Sequence, residues 1–199
     1  MVLVIDTSSP VRAALALLRP AGEGAWAPGG EVELPPGRGD ELTAGAHRLA
    51  ATDELTGVAV TLGPGSFTGL RVGVSYGLGL ALGRRLPLFG LRTLELAAAR
   101  ATVPATGIAE AGRGRLYWQE PDGAPTLGQV GEVPRRTPVA GWLRESTAEA
   151  LREAGVRVLG ESELEGLAPA AARLLPAAEQ LAYGSVRVCY MSSPGRLEE

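Results

Sequence analysis

Blocks of apolar residues separated by polar turns organise the first half of the chain. Residues 2–5, "VLVI", are an unbroken apolar run that stops at the polar turn Asp6-Thr7-Ser8-Ser9, the pattern of a buried strand. Residues 11–18, "VRAALALL", predict a neighbouring strand, with Pro10 helping to set the turn between them. The Gly/Pro-rich residues 20–30 read as a loop, and "EVELP" at 31–35 as a third strand. From Asp40, a candidate N-cap, the spacing of Leu42, Ala46 and Leu49 predicts a helix over 40–51 with one apolar face. "GVAVTLG" at 57–63 and "PLFGL" at 87–91 are further strands, and 93–100 a further helix. Alternating strands and helices predict an α/β lobe over residues 1–102.

The texture changes after Pro104. "TGIAEAG" and "GRLYWQE" read as a strand pair, followed by a Pro/Gly-rich stretch to Pro138 with no assignable element. A helix over 139–155, a strand over 156–160 and a helix over 164–183 interrupted at Pro169 and Pro176 are predicted next. The tail "VRVCYMSSPGRLEE" is expected to fray. Residues 103–199 are expected to form a smaller, degenerate second lobe.

The most informative stretch is "TLGPGSFTGLRVGVSYGLGLALG" at 61–83. A glycine-rich turn after a strand and before a helix suggests a phosphate bed. The spacing is wrong for one, because neither Gly63 nor Gly65 is followed five residues later by Gly-Lys. Ser66 also fails as a nucleophile elbow, with Pro64 and Thr68 where glycines are required. It reads as a helix N-cap. Gly69, Gly73, Gly77, Gly79 and Gly83 each cost ~1 kcal/mol relative to alanine in a helix, so something must offset ~4–5 kcal/mol. At 100° per residue, Leu70, Val74, Leu78 and Ala81 form a face able to lie on a sheet. Gly69, Val72, Gly73, Tyr76, Gly77 and Leu80 form a second face, on which small residues would let another helix approach closely. That helix is expected from residues 40–51 of the same chain, from another subunit, or from both. A subunit is the sharper expectation, which makes these six residues the candidate partner interface.

Composition narrows the chemistry. The chain has 199 residues, a net charge of −3 and 45% hydrophobic residues, an ordinary globular profile that advertises neither a nucleic-acid nor a membrane surface. It contains no lysine, so a Schiff-base lysine and a phosphate-loop lysine are both excluded. His47 and Cys189 are each single, which excludes an internal disulfide and an all-protein structural zinc site. His47 reads as a surface residue and Cys189 as a packed thiol. The longest uncharged apolar stretch, 72–83, is too short to cross a bilayer, and no signal sequence is read at the start, so a cytoplasmic location is expected. Asp6 and Thr7 have the form of the first phosphate or metal turn of an ATPase lobe, although the motif alone favours an Asx-type hairpin turn. Glu110, Arg113, Arg115, Tyr117 and Trp118 combine a carboxylate, two arginines and two aromatics on the predicted strand pair, an arrangement that packs a core or stacks on a base. Arg84-Arg85, Arg113/Arg115 and Arg135-Arg136 read as solvated faces unless the fold gathers them.

"VLVIDTSS", "GVAVTLGPGSFTGLRVGVSYGLGLALG", "PLFGLRTLELAA" and "GRGRLYW" occur in the order and spacing of the bacterial TsaB (YeaZ) family, which the chain resembles. The string G-P-G-S-F-T-G-L-R-V-G at 63–73 is close to diagnostic of it. The resemblance implies an actin-like, Hsp70-like α/β fold (the ASKHA, ribonuclease H-like class) with two lobes, the second reduced. It implies a non-catalytic subunit of the machinery that makes threonylcarbamoyladenosine at position 37 of tRNA. That subunit docks on the catalytic paralogue TsaD and pairs with itself when alone, while TsaE, an ATPase, joins the complex and tRNA is met through it. No catalytic residue, metal ligand or cofactor of its own is implied; ATP and a metal serve the partner subunits. TsaD's metal-binding histidine pair is absent, and the corresponding helix start reads "GRGDELTAG" with Asp40 and Glu41. Asp6 and Thr7 remain as vestigial nucleotide candidates, and a residual weak ATPase or peptidase is the alternative. The family pattern D-A-R-x-G-E-x-Y-W is here altered to Gly112 at its arginine and Arg115 at its glutamate.

Overall fold

The computed structural model describes residues 1–37, 39–50, 55–193 and 196–198. Strands β1 (Val2–Asp6), β2 (Ala13–Pro20) and β3 (Trp26–Leu34) form an antiparallel meander, followed by helix α1 (Gly39–Ala50). Strand β4 (Gly57–Gly63), helix α2 (Phe67–Arg84) and strand β5 (Leu88–Arg92) come next, with β4 parallel to both β1 and β5. Helix α3 (Thr93–Ala99) leads into a second, four-stranded sheet. It is built from β6 (Thr106–Gly112), β7 (Arg115–Gln119), β8 (Thr126–Gln129) and β9 (Val139–Ala140), in the order β8-β7-β6-β9. Helices α4 (Glu145–Glu153) and α5 (Leu167–Leu174) and strand β10 (Glu179–Leu181) follow, and β11 (Tyr190–Ser193) pairs with β12 (Arg196–Glu198). The first sheet has the order β10-β5-β4-β1-β2-β3, so this is the two-lobed, ribonuclease H-like α/β class expected.

Alternation along the strands divides the core into two layers. Leu3, Ile5, Leu15, Leu17, Val58 and Val60 face α1 and α2, with Leu42, Ala46, Val74 and Ala81 packed on them. Val2, Val4, Ala14, Ala16 and Ala59 face the other way, toward Leu96 of α3 and the alanine-rich α5. Helix α3 sits between the sheets, because Leu94 packs instead with Ala109, Tyr117 and Leu127 of the second lobe.

Several elements differ from the sequence pattern. The loop expected at 20–30 is confined to 21–25, since β2 runs to Pro20 and β3 begins at Trp26; its pairing with β2 shifts register between Leu17 and Leu18 so that Gly29 is accommodated. The stretch before Pro138 contains β8, and the helix predicted over 139–155 begins only at Glu145, after the short strand β9. Residues 156–160 contribute a bridge between Val139 and Val158 rather than a full strand. The predicted end of the first helix, Ala51, lies outside the described residues. The second half does not keep to its own lobe: α5 packs on the first sheet and β10 pairs with β5. Nor does the tail simply hang away, since the Cys189 N–H donates to the Leu62 carbonyl (2.7 Å) and Val186 and Val188 pack on the first core.

The glycine-rich helix also sits differently from expectation. Gly69, Gly73 and Gly77 do not face a neighbouring helix; Gly69 and Gly73 face the Thr7 turn that follows β1, and Gly77 faces the first sheet. A Cβ at Gly69 would fall on the carbonyl oxygen of Thr7, one at Gly73 on the Thr7 hydroxyl, and one at Gly77 on Val60. Of the other three residues of that face, Val72 and Tyr76 turn toward α1. A Cβ at Gly39 would lie 4.0 Å from Val72, and Tyr76 is hydrogen-bonded to Thr43. Leu80 packs partly buried against the same core. The bare backbone that does face outward belongs to Gly79 and Gly83, whose Cβ positions have nothing within 4 Å. This geometry gives opposite signs to one substitution on one helix. Gly69→Ala is expected to destabilise by about 2–3 kcal/mol, because α2 must lift off β1. Gly79→Ala is expected to stabilise by about 0.5–1 kcal/mol through helix propensity alone. Denaturant midpoints at unchanged m-value measure both, and a shift in the same direction for the two would contradict the packing described.

Candidate functional site

The turn after β1 is built by its own side chains. Asp6 Oδ1 accepts hydrogen bonds from the Ser8 N–H (2.9 Å), the Ser8 hydroxyl (2.6 Å) and the Thr61 hydroxyl (3.1 Å). The Thr7 hydroxyl donates to the carbonyl of Gly69 (2.7 Å), and the Ser66 N–H donates to the carbonyl of Ser8 (2.7 Å). Ser66 caps α2 as predicted, its side chain accepting from the Gly69 N–H at 3.2 Å. Where a phosphate turn would keep its groups for a ligand, this one uses them to hold the start of α2 against β1. Asp6 lines a cavity of about 20 Å³, whereas small-molecule pockets run to about 300 Å³ and more.

Around that cavity the two lobes are fastened together. The guanidinium groups of Arg100 and Arg12 lie 4.6 and 5.5 Å from the centroid of the Trp142 ring. Both arginines bond Glu161, at 2.9 and 3.2 Å, and Arg100 Nε donates to the Glu165 carbonyl at 2.9 Å. The Ser9 hydroxyl donates to the Trp142 carbonyl (3.1 Å). Glu31 on β3 accepts from the Ala168 N–H (2.8 Å) at the start of α5. None of these pairs was singled out from the sequence, where the partners stand far apart and share no periodicity.

The second-lobe constellation resolves into structure. Glu110 is buried and accepts from the Arg144 N–H (2.8 Å), the Arg144 guanidinium and the Thr147 hydroxyl (3.0 Å), which ties the start of α4 to β6. Tyr117 and Trp118 point to opposite sides of β7 and are both buried, so they pack two core clusters. The arginine pairs stand apart, at the end of α2, at the β6–β7 turn and before β9. His47 is exposed on α1.

What the molecule presents outward is the far side of α2. Phe67 is 53% exposed and Leu82 57% exposed. Arg71 stacks on Phe67, its guanidinium 3.7 Å from the ring centroid. Phe67, Thr68, Arg71, Val72 and Ser75 line a groove of about 360 Å³. Val72 joins this groove to the α1 edge, so one of the six predicted interface residues contributes to it directly.

Burial pushes the Asp6 carboxyl up from its ordinary value, although the bonds from Ser8 and Thr61 and the charge of Arg100 pull it down. The folded chain therefore holds this proton more tightly than the unfolded chain. Asp6 is expected to favour folding least above its raised value, with stability falling as pH rises from about 4 toward that value. Asp6→Asn should remove that slope, and denaturant midpoints across the pH range compare the two proteins. Equal slopes would refute the assignment.

Against this geometry, comparison with known proteins is informative. The family model described as "TsaD: tRNA N6-adenosine threonylcarbamoyltransferase" matches residues 46–131. The tRNA threonylcarbamoyladenosine biosynthesis protein TsaB of Escherichia coli (strain K12) is 38% identical over 72 residues, 34% of this chain and 31% of that protein. A tRNA N6-adenosine threonylcarbamoyltransferase of Geobacter sp. (strain M21) is 51% identical over 43 residues, 22% of this chain and 13% of that protein. The chain thus spans under a third of the length of either curated relative. The solved structure of YeaZ from Pseudomonas aeruginosa shares the fold over 96% of this chain and 99% of its own, with a TM-score of 0.74 and 18% identity. A second, of a protein with similarity to peptidase YEAZ from Pseudomonas aeruginosa, covers 95% and 98% with a TM-score of 0.70 and 18% identity. Among the described residues no helix is long and apolar enough to cross a membrane. The curated match to TsaB extends over about a third of this chain, and the two solved structures show that the fold is shared along nearly all of it.

Proposed function

We propose that this chain is a non-catalytic subunit of the machinery that makes threonylcarbamoyladenosine on tRNA, and that it docks on a TsaD-type transferase through the outer face of α2. The observation that carries the reading is the pair of exposed apolar side chains Phe67 and Leu82 on the outer side of α2, with the bare backbone of Gly79 and Gly83 beside Leu82. A helix needs no such residues on its solvent side, and a partner would bury them. The seam is thus rotated from the glycines first expected there, which are occupied within the chain.

Two features support an activating rather than a catalytic role. The chain has a single histidine, so it lacks the histidine pair that the resemblance assigns to the transferase. Its best acid candidates, Asp6 and Glu110, are taken up by bonds that hold α2 and α4 in place. Its contribution would be a rigid, correctly presented surface. A TsaE-type ATPase would join the same assembly, tRNA would be met through the complex, and self-pairing through this face would occur in the partner's absence.

Calorimetric titration of the purified chain with the TsaD-type transferase tests the proposal. Phe67→Ala combined with Arg71→Glu should weaken binding at least ~30-fold, the effect of losing a central interface anchor. Thermal unfolding should stay unchanged, since both side chains lie outside the core, and tRNA modification in a reconstituted reaction should fall in step. A folded double variant that binds with undiminished affinity would remove this face from the assembly.

A further inference from the structure

We infer that one ordered water molecule is an integral part of this fold, bridging the lobes between Thr93 and Trp142 beside Asp6. Among the described residues, two buried side-chain polar atoms have no hydrogen-bond partner in the protein: Thr93 Oγ1 and Trp142 Nε1. They come from different lobes, Thr93 from the start of α3 and Trp142 from the segment after β9. Both line the same cavity of about 20 Å³, with Asp6, Ser8 and Arg100 in its wall. Thr93 and Asp6 are each 5% exposed.

Two orphaned atoms on residues that line one small cavity call for a shared partner, because unmet buried polar groups are costly. The chemistry of the walls selects the occupant. An indole N–H can only donate, a carboxylate can only accept, and a hydroxyl can do either. A water oxygen accepts from Trp142, a water proton goes to Asp6, and the Thr93 hydroxyl serves the remaining site. A cation would meet the positive end of the indole N–H, and an anion would meet the Asp6 carboxylate. The Arg100 guanidinium is already committed to Glu161, the Glu165 carbonyl and the Trp142 ring. The volume agrees, since a water needs roughly 10–15 Å³ of such space and anything larger is excluded.

The water should be visible in solution and in a crystal of the full chain. Rotating-frame NMR is expected to show a water cross-peak at the Trp142 indole proton, assigned by its loss in Trp142→Phe. Thr93→Val should reduce that cross-peak at least fivefold, and Thr93→Ser should retain it. A high-resolution crystal structure should show a density peak at hydrogen-bond distance, about 2.7–3.2 Å, from both orphaned atoms. Absence of both cross-peak and density in the wild-type chain would overturn the inference, a result that needs no variant to fold. So would a peak at metal-ligand distance, or a cross-peak indifferent to Thr93→Val.

Discussion

The contact on which the rest depends is that of α2 with β1 and β4, made close by the absence of side chains at Gly69, Gly73 and Gly77. Three glycines in a helix are expensive in backbone entropy, and the return is a helix lying almost on the sheet backbone. Thr7 converts that proximity into a bond, with its hydroxyl on the Gly69 carbonyl. Fixed in this way on its inner side, the helix offers a constant outer surface. The far end is held as well: Tyr183 donates its hydroxyl to the Leu86 carbonyl (2.5 Å), beside the residue that ends the helix in a left-handed turn.

Rigidity at α2 and closure between the lobes are two aspects of one arrangement. Asp6 belongs to the turn that receives α2 and also lines the cavity at the lobe boundary. From there, Arg100, Trp142, Arg12 and Glu161 extend the fastening outward. Stacked arginines and an indole fill the space beside Asp6, and what remains of it is water-sized.

Much of the first lobe was legible in the sequence, because parallel strands buried on both faces leave continuous apolar runs such as 2–5 and 57–63. The apolar face of α1 was equally plain, with Leu42 and Ala46 buried as the spacing required. The glycine face of α2 was legible as a set of small residues but not as to what approaches it. Periodicity reports which positions share a side, and a sheet and a neighbouring helix demand the same smallness. Strand β3 was half concealed by Pro28, Gly29 and Gly30, which read as a loop until a register shift in its pairing with β2 accommodates them. The interlobe pairs, such as Arg100 with Glu161, left no trace, because contacts between distant positions impose no local pattern.

The return of α5 and β10 to the first sheet has a consequence for synthesis. Val2, Val4 and Ala14 are covered by Leu167, Ala168 and Ala171, so this face is closed by residues made more than 150 positions later. While the ribosome is still adding the second sheet, that apolar surface stays open to solvent and to neighbours. The core of the first sheet is thus complete only once α5 and β10 have been made.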